Sequence, residues 1–373
     1  MNMDAEGKLL TFANTHRDFV STLNKRVNEH FKVNKIGRQG NIEMYLKTVC
    51  MFMMYFIPYG LVVTGTISGI GPLLVGVVVM GLGLAGIGLS VMHDANHGAY
   101  SKKAWVNDLL GYSLNLVGAN ALNWKIQHNV LHHSFTNVHD HDEDISPRGT
   151  LRFSPSTPWK KMHRYQFIYV WFLYGMMTIV WLVFKDFVRI VGYHKSGLLR
   201  KQKANINREW IILVVTKLAY IGYIFVIPLF FTSLPWWHIF SGILLMHFIA
   251  GFILAIIFQP AHVVEGTEFP LPDDSNVLEN NWAVHQLLTT SNFSNKSRWF
   301  SWYVGGLNFQ IEHHLFPNIC HVHYRSISGI VCRTAHEFGL PYKTFNTFLE
   351  ALQGHARLLK RLGMPPEHAN GFK

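Results

Sequence analysis

The sequence predicts an all-α integral membrane protein, with four transmembrane helices in two hairpins and additional interfacial helices. Three observations carry this. Only 15% of the 373 residues are charged while 49% are hydrophobic, where a soluble domain usually carries about a quarter charged residues. Four stretches, 45–68, 72–92, 210–231 and 236–258, hold no charge except Lys217 and, near the start of the first, Lys47, over the length of about 20 residues that a bilayer demands. They pair off across short links, "GIG" and "TSLP", which contain no Lys or Arg.

The polar parts set the orientation. Seven basic residues precede Tyr45 and seven more fall in 185–208, so the positive-inside rule puts both termini and the middle region in the cytoplasm. Lys217 is expected to snorkel along its aliphatic stem. A fifth apolar stretch, 165–184, reads as a helix lying in the interface or packed on the membrane domain. A lone span there would carry the basic segment outside. Residues 105–124 read as a similar amphipathic case.

The formal charge of +11 suits nucleic acid or an anionic membrane surface. No zinc finger, RNA-binding signature or long basic run supports nucleic acid, so membrane lipids are the expected partner, and the basic 185–208 segment is their expected contact. Phosphates of an acyl carrier are a second candidate for that segment. Cys50, Cys320 and Cys332 are too few and too scattered for a disulfide framework or a thiolate metal site. The polar N-terminus lacks a signal-peptide apolar region, leaving the later apolar segments to direct insertion.

Histidine is unusually frequent: 22, as many as Asp and Glu together. Directly after the second apolar stretch stands "HDANH", with His93 and His97 four residues apart. On a helix that spacing stacks two imidazoles on one face, with Cβ atoms about 5–6 Å apart. Alone it also fits a pair of interfacial histidines. A zinc-protease motif would have Glu at its second position; here Asp94 is one methylene shorter and reads as a residue that orients an imidazole.

Next comes "HNVLHH", with His128, His132 and His133. The first two repeat the four-residue spacing, and His133 is turned about 100° further round a helix. One helix can thereby serve two metals. "NWAVH" holds Asn281 and His285, again four apart, and alone is a weak signal. "NFQIEHHLFP" holds Gln310, His313 and His314. His262, just past the fourth apolar stretch, reads as a support to the site. His247, mid-span, reads as a neutral packing residue, although ionisable groups inside a membrane are often functional. "HDHDEDIS", 139–146, reads first as a solvated acidic loop, with an electron-donor contact or support of the site as alternatives.

Counting ligands narrows the chemistry. The boxes offer eight imidazoles: His93, His97, His128, His132, His133, His285, His313 and His314. A single zinc takes only three or four protein ligands, so this number suits two metals. Imidazole-rich sites suit Fe, Cu, Zn or Ni, and the missing thiolates argue against iron–sulfur clusters.

On "HDANHGAYS", "QHNVLHHSFTN" and "NFQIEHHLFP", in that order, the chain resembles the membrane fatty acid desaturases over roughly 40–340. The Gln that opens the third box, with "HVVEG" at 262–266, resembles the front-end and linoleoyl-CoA-type branch. The resemblance implies a four-helix membrane base under a cytosolic helical cap, with two iron ions held by the box histidines. It implies a cytosolic N-terminal segment 1–44, a desaturase domain 45–340 and a cytosolic C-terminal tail 341–373. Asn281 and His285 resemble the extra ligand pair of acyl-CoA desaturases, the Asn acting through water. Two departures stand out: three residues rather than two separate His128 from His132, and Gln310 replaces a histidine.

The implied reaction is an O2-dependent desaturation, removing two hydrogens from adjacent methylenes of an acyl chain carried by CoA or a lipid. With no HPGG haem motif in the chain, an external electron donor of ferredoxin or cytochrome b5 type is implied. Trp124, Trp299, Trp302 and Tyr303 are candidate lining for an apolar acyl tunnel, although most aromatics in such a chain are core or interface anchors. A di-iron membrane hydroxylase shares this ligand set and is the nearest alternative. A His-rich metal transporter would place its binding groups near the midplane, where only His247 lies.

Overall fold

The computed structural model describes residues 10–67, 69–146 and 149–365. The first nine residues of the expected N-terminal segment, Ser68 at the end of the first expected span, and 366–373 of the expected tail lie outside the described residues. Almost all regular structure is helical, apart from two short two-stranded parallel pairings. The chain divides into two compact units, one of Asn41–Ile126 and Trp171–Ile256, the other of Met1–Gly40, Gln127–Val170 and Ile257–Lys373.

Among the described residues, four helices are long and apolar enough to cross a membrane: Ile42–Val63, Ile70–Asn96, Ile206–Phe231 and Trp236–His262. They match the four expected spans, and two of them run further at their C-terminal ends. The second continues through a π-helical stretch, Ile87–Met92, to take in His93, and the fourth reaches His262. An apolar window stops at the first polar residue, whereas the backbone ladder continues past it. The fifth apolar stretch forms two helical pieces, Lys161–Gly175 and Met177–Lys195, bent by 61°.

In the unit containing the first two spans, close packing rests on small residues. A Cβ on Gly83 would lie 2.8 Å from the backbone nitrogen of Tyr55, so Ile42–Val63 approaches its neighbour at backbone distance. Gly251 approaches the carbonyl of Gly175 in the same way.

Lys217 does not snorkel. It is buried, 2.6 Å from Asp186 Oδ2, and donates to the carbonyls of Gly118 and Trp181 at 2.7 and 2.9 Å. Asn123 Nδ2 donates to the Asp186 carbonyl at 2.9 Å. A carboxylate from a distant segment, invisible to a span-by-span reading, supplies what water would have supplied. His247 is the packing residue expected of it: Nε2 lies 2.6 Å from Tyr220 Oη, and Nδ1 3.2 Å from Thr178 Oγ1.

In the other unit, Phe19, Leu23, Val27 and Phe31 recur every four residues on the helix Arg17–Val33. They pack into one core with Ile327 and Val331 of Tyr324–Glu337 and with Ile311 and Leu315 of Gln310–Leu315. The strand Thr11–Phe12 pairs with Val277–Leu278, and Asn292–Phe293 pairs with Thr344–Phe345. Beyond residue 341, the C-terminal segment adds that last strand and the amphipathic helix Phe348–Leu362, opened by a capping box of Thr347 and Glu350.

Candidate metal centre

The second box sits on a helix that changes pitch. An α-turn, Ala121–Lys125, gives way to a seven-residue π-stretch, Ile126–His132, and His133 N donates to His128 O five residues back at 2.9 Å. A π-turn accommodates one residue more than an α-turn, so the extra residue between His128 and His132 is absorbed locally. The widened turn also keeps the His133 ring beside its neighbours. Its ring centroid lies 4.7 Å from that of His128, and His132 lies 5.3 Å from His128.

Four of the box rings are oriented from behind by a named partner. His132 Nδ1 is 2.9 Å from Asp142 Oδ2, and both side chains are fully buried. His128 Nδ1 is 3.5 Å from Asp144 Oδ2. His313 Nδ1 is 3.1 Å from Tyr324 Oη, and His314 Nδ1 is 2.8 Å from Gln286 Oε1. Gln286 is held in turn: Thr136 Oγ1 donates to its oxygen at 2.9 Å, and its Nε2 donates to the His133 carbonyl at 3.2 Å. Partners on Nδ1 fix the tautomer and the ring direction, leaving Nε2 for a metal.

The acidic segment 139–146 is therefore not a solvated loop. Only Asp140 of its eight residues is exposed. Left-handed turns at Asn137 and Asp140 (φ 60° and 63°) fold the chain back, a conformation Asn and Asp tolerate better than most residues. Asp142 then accepts from the backbone nitrogens of Asn137 and Asp144 at 2.9 Å each. Burial alone would lower the His132 pKa; Asp142 and Asp144 more than offset that and hold it above the ordinary value.

The Nε2 atoms converge. His133 Nε2 lies 3.2 Å from His128 Nε2 and 2.9 Å from His313 Nε2. Among the described residues of this unit, three sets of side chains offer donor atoms within 4.8 Å of one another: His132, His262 and His314; His133, His313 and His314; and His128, His132 and Asp144. Buried Nε2 atoms of His132 and His262 have no hydrogen-bond partner among the described residues. Leaving buried polar atoms unmet costs roughly 1–3 kcal/mol each, and a metal ion removes that cost, since neutral imidazole is a good ligand for first-row metals. The donor set fits a metal.

His262 thus stands among the rings themselves, 4.7 Å by centroid from both His132 and His314, rather than only supporting them. Gln310 is 1% exposed, and neither amide atom has a hydrogen-bond partner among the described residues. Between Gln310 and the histidines, Glu312 is fully buried, and burial pushes its carboxyl up to about 7. In the other unit, His93 and His97 have ring centroids 4.8 Å apart, each within 6 Å of Trp124 at 5.6 and 5.8 Å. Asp94 Oδ1 lies 3.6 Å from His93 Nδ1, where it can orient that imidazole.

A sequence model of the fatty acid desaturase family matches residues 68–346. The chain belongs to this family. Among relatives, it is 35% identical to the sn-1 linoleoyl-lipid 6-desaturase of Synechocystis sp., over 93% of this chain and 96% of that one. It is 34% identical to the enzyme of the same name from Arthrospira platensis, over 94% of each. It is 37% identical to the acyl-lipid (8-3)-desaturase of Physcomitrium patens, over 95% of this chain and 74% of that one. The protein is an oxidoreductase, a membrane fatty acid desaturase.

Not every expected residue of the desaturase lies in the histidine cluster. Asn281 caps the helix Trp282–Thr289, its side chain accepting from Val284 N at 3.0 Å. His285 Nε2 sits 2.8 Å from the Thr136 carbonyl, its ring edge-on to Phe12. Burial pushes His285 down to about 4, with the Thr136 carbonyl opposing. Neither belongs to the three donor sets. The four-residue spacing that resembles a ligand pair here joins an N-cap to a buried histidine, and Gln286, the next residue along, reaches a box ring. Trp299 is 85% exposed, which does not suit the lining of an enclosed acyl tunnel. Trp124, Trp302 and Tyr303 are half-buried.

Proposed function

We propose that this desaturase is a front-end enzyme acting on lipid-linked acyl chains, placing a cis double bond between an existing one and the carboxyl end. The observation that supports this best is the near end-to-end likeness to two linoleoyl-lipid 6-desaturases. Relatives named for the acyl-lipid (8-3) reaction and the Δ5 position fit the same regiochemical class.

The reaction consumes O2, two electrons and two protons, takes two hydrogens from adjacent methylenes, and yields the alkene and two waters. The electrons come from a separate donor protein of ferredoxin or cytochrome b5 type. Two iron ions are the metals we assign, held by His128, His132, His133, His262, His313 and His314, with His93 and His97 as further iron ligands. Gln310 is assigned as an oxygen donor, because a buried amide with both atoms unmet is costly. When bound, iron supplies the reduction of O2 and the oxidising power that an unactivated C–H bond requires.

The chain's own groups do the rest. Asp142, Asp144, Tyr324 and Gln286 keep the imidazoles turned with Nε2 outward, so little reorganisation accompanies turnover. Phe258 lies against His128 and His132, with centroids 6.1 and 5.0 Å away, and helps exclude water. The boxes and both termini lie on the cytoplasmic side, as the positive-inside rule requires.

Expression in a host supplied with linoleate, followed by mass-spectrometric location of new double bonds, tests this reading. A new bond on the carboxyl side of the existing pair supports it. A new bond on the methyl side, or a hydroxylated product, contradicts it; the latter would favour a di-iron hydroxylase.

A further inference from the structure

The third-box helix Gln310–Leu315 has six residues and no side-chain cap from Phe309. So short a helix does not hold itself in water, yet it carries His313 and His314. Its missing cap comes from afar: Ile311 N donates to Asn292 Oδ1 at 2.9 Å. The same asparagine donates through Nδ2 to Glu312 Oε2 at 2.8 Å and to Tyr342 Oη at 2.9 Å. Tyr342 Oη donates to Glu312 Oε1, also at 2.9 Å. Three side chains close a ring of hydrogen bonds, and Glu312 and Asn292 are fully buried. Asn292 is anchored through its own backbone, which donates to Lys343 O at 2.9 Å beside the pairing with Thr344–Phe345.

We propose that Glu312, Asn292 and Tyr342 form the positioning device of the third box, setting the direction in which His313 and His314 present their rings. Helical geometry turns His313 and His314 by about 100° and 200° from Glu312, so the anchor and the two ligands occupy different sides of one turn. Among the described residues no Lys or Arg forms an ion pair with Glu312. Its two oxygens are spent on the asparagine amide and the tyrosine hydroxyl, a geometry that locks rotation of the helix. The C-terminal segment around Tyr342 is thereby part of the metal centre's scaffold. The inference rests on the reading of His313 and His314 as iron ligands.

The test uses the full-length holoenzyme with Glu312→Gln, Glu312→Ala, Asn292→Ala and Tyr342→Phe. The readouts are iron per chain, iron loss to a chelator, the Mössbauer signature of retained iron, turnover and the unfolding midpoint. A glutamine at 312 accepts from Asn292 and donates to Tyr342, so Glu312→Gln is expected to keep the wild-type signature and turnover within about threefold. Glu312→Ala and Asn292→Ala are expected to lose iron about tenfold faster or more, with an altered signature in what remains, and Tyr342→Phe to fall between.

A lowered midpoint with unchanged iron and signature in the Ala variants means mere structural support and overturns the proposal. Loss of turnover in Glu312→Gln with iron and signature intact also overturns it, since the carboxylate itself would then be needed. An iron-free wild type would instead sink the ligand reading on which the proposal rests.

Discussion

His132 Nδ1 and Asp142 Oδ2 stand 2.9 Å apart with both side chains fully buried. A carboxylate ten residues downstream in the chain therefore fixes a ring of the second box. Asp142→Ala is expected to weaken iron retention by about 10–100-fold. Asp142→Asn, which still accepts from Nδ1–H, should lose less. Iron per chain after dialysis against a chelator reads the difference; equal loss in both would mean that the charge, not the hydrogen bond, holds His132.

His262 and Asn281 exchange the importance their sequence contexts suggest. His262→Ala should remove iron from the centre. Asn281→Ala should leave iron content unchanged and cost about 1 kcal/mol of stability, the usual effect of losing a helix cap. Metal analysis beside thermal unfolding separates the two, and iron loss in Asn281→Ala would restore Asn281 to the metal site.

The buried pair of Lys217 and Asp186 holds a membrane helix to a segment outside it. Removing one partner leaves an uncompensated charge, a loss of about 3–5 kcal/mol. Lys217→Met or Asp186→Leu alone should therefore lower the unfolding midpoint sharply in detergent. The double variant should recover most of it. A double variant no better than the worse single one would argue against a coupled pair.

Histidine 355 sets an acid limit. It is fully buried against the Val263 carbonyl, and burial pushes it down to about 4. A depressed histidine leaves stability intact above its unfolded value near 6.5, and stability drains as pH falls from there toward 4, on the order of 3 kcal/mol in all. His355→Gln should be less stable at pH 7.5 but flatter in its response down to pH 5. Parallel slopes for the two proteins would contradict the assignment.

Much of this was legible in the residues. The four spans follow from apolar length, two boxes follow from the four-residue spacing of their histidines, and the third from the adjacent pair His313 and His314. What stayed hidden depends on distant partners. The acidic stretch after the second box looks solvated until the left-handed turns at Asn137 and Asp140 bring Asp142 onto His132. Asn281 and His285 share a ligand-like spacing with an ordinary capped helix. Lys217 gives no sign of Asp186, and two-residue strands such as Thr11–Phe12 pair with partners too remote for any local pattern to announce. The π-turn at 126–132 is the physical answer to the extra residue in the second box.

Iron stoichiometry tests the central claim most directly. Protein purified anaerobically from iron-supplemented cells should carry about two Fe per chain, the two metals that the imidazole count suits, and His132→Ala should lose most of it while remaining folded. Stoichiometric zinc in an active preparation, or full activity with no iron, would contradict the account.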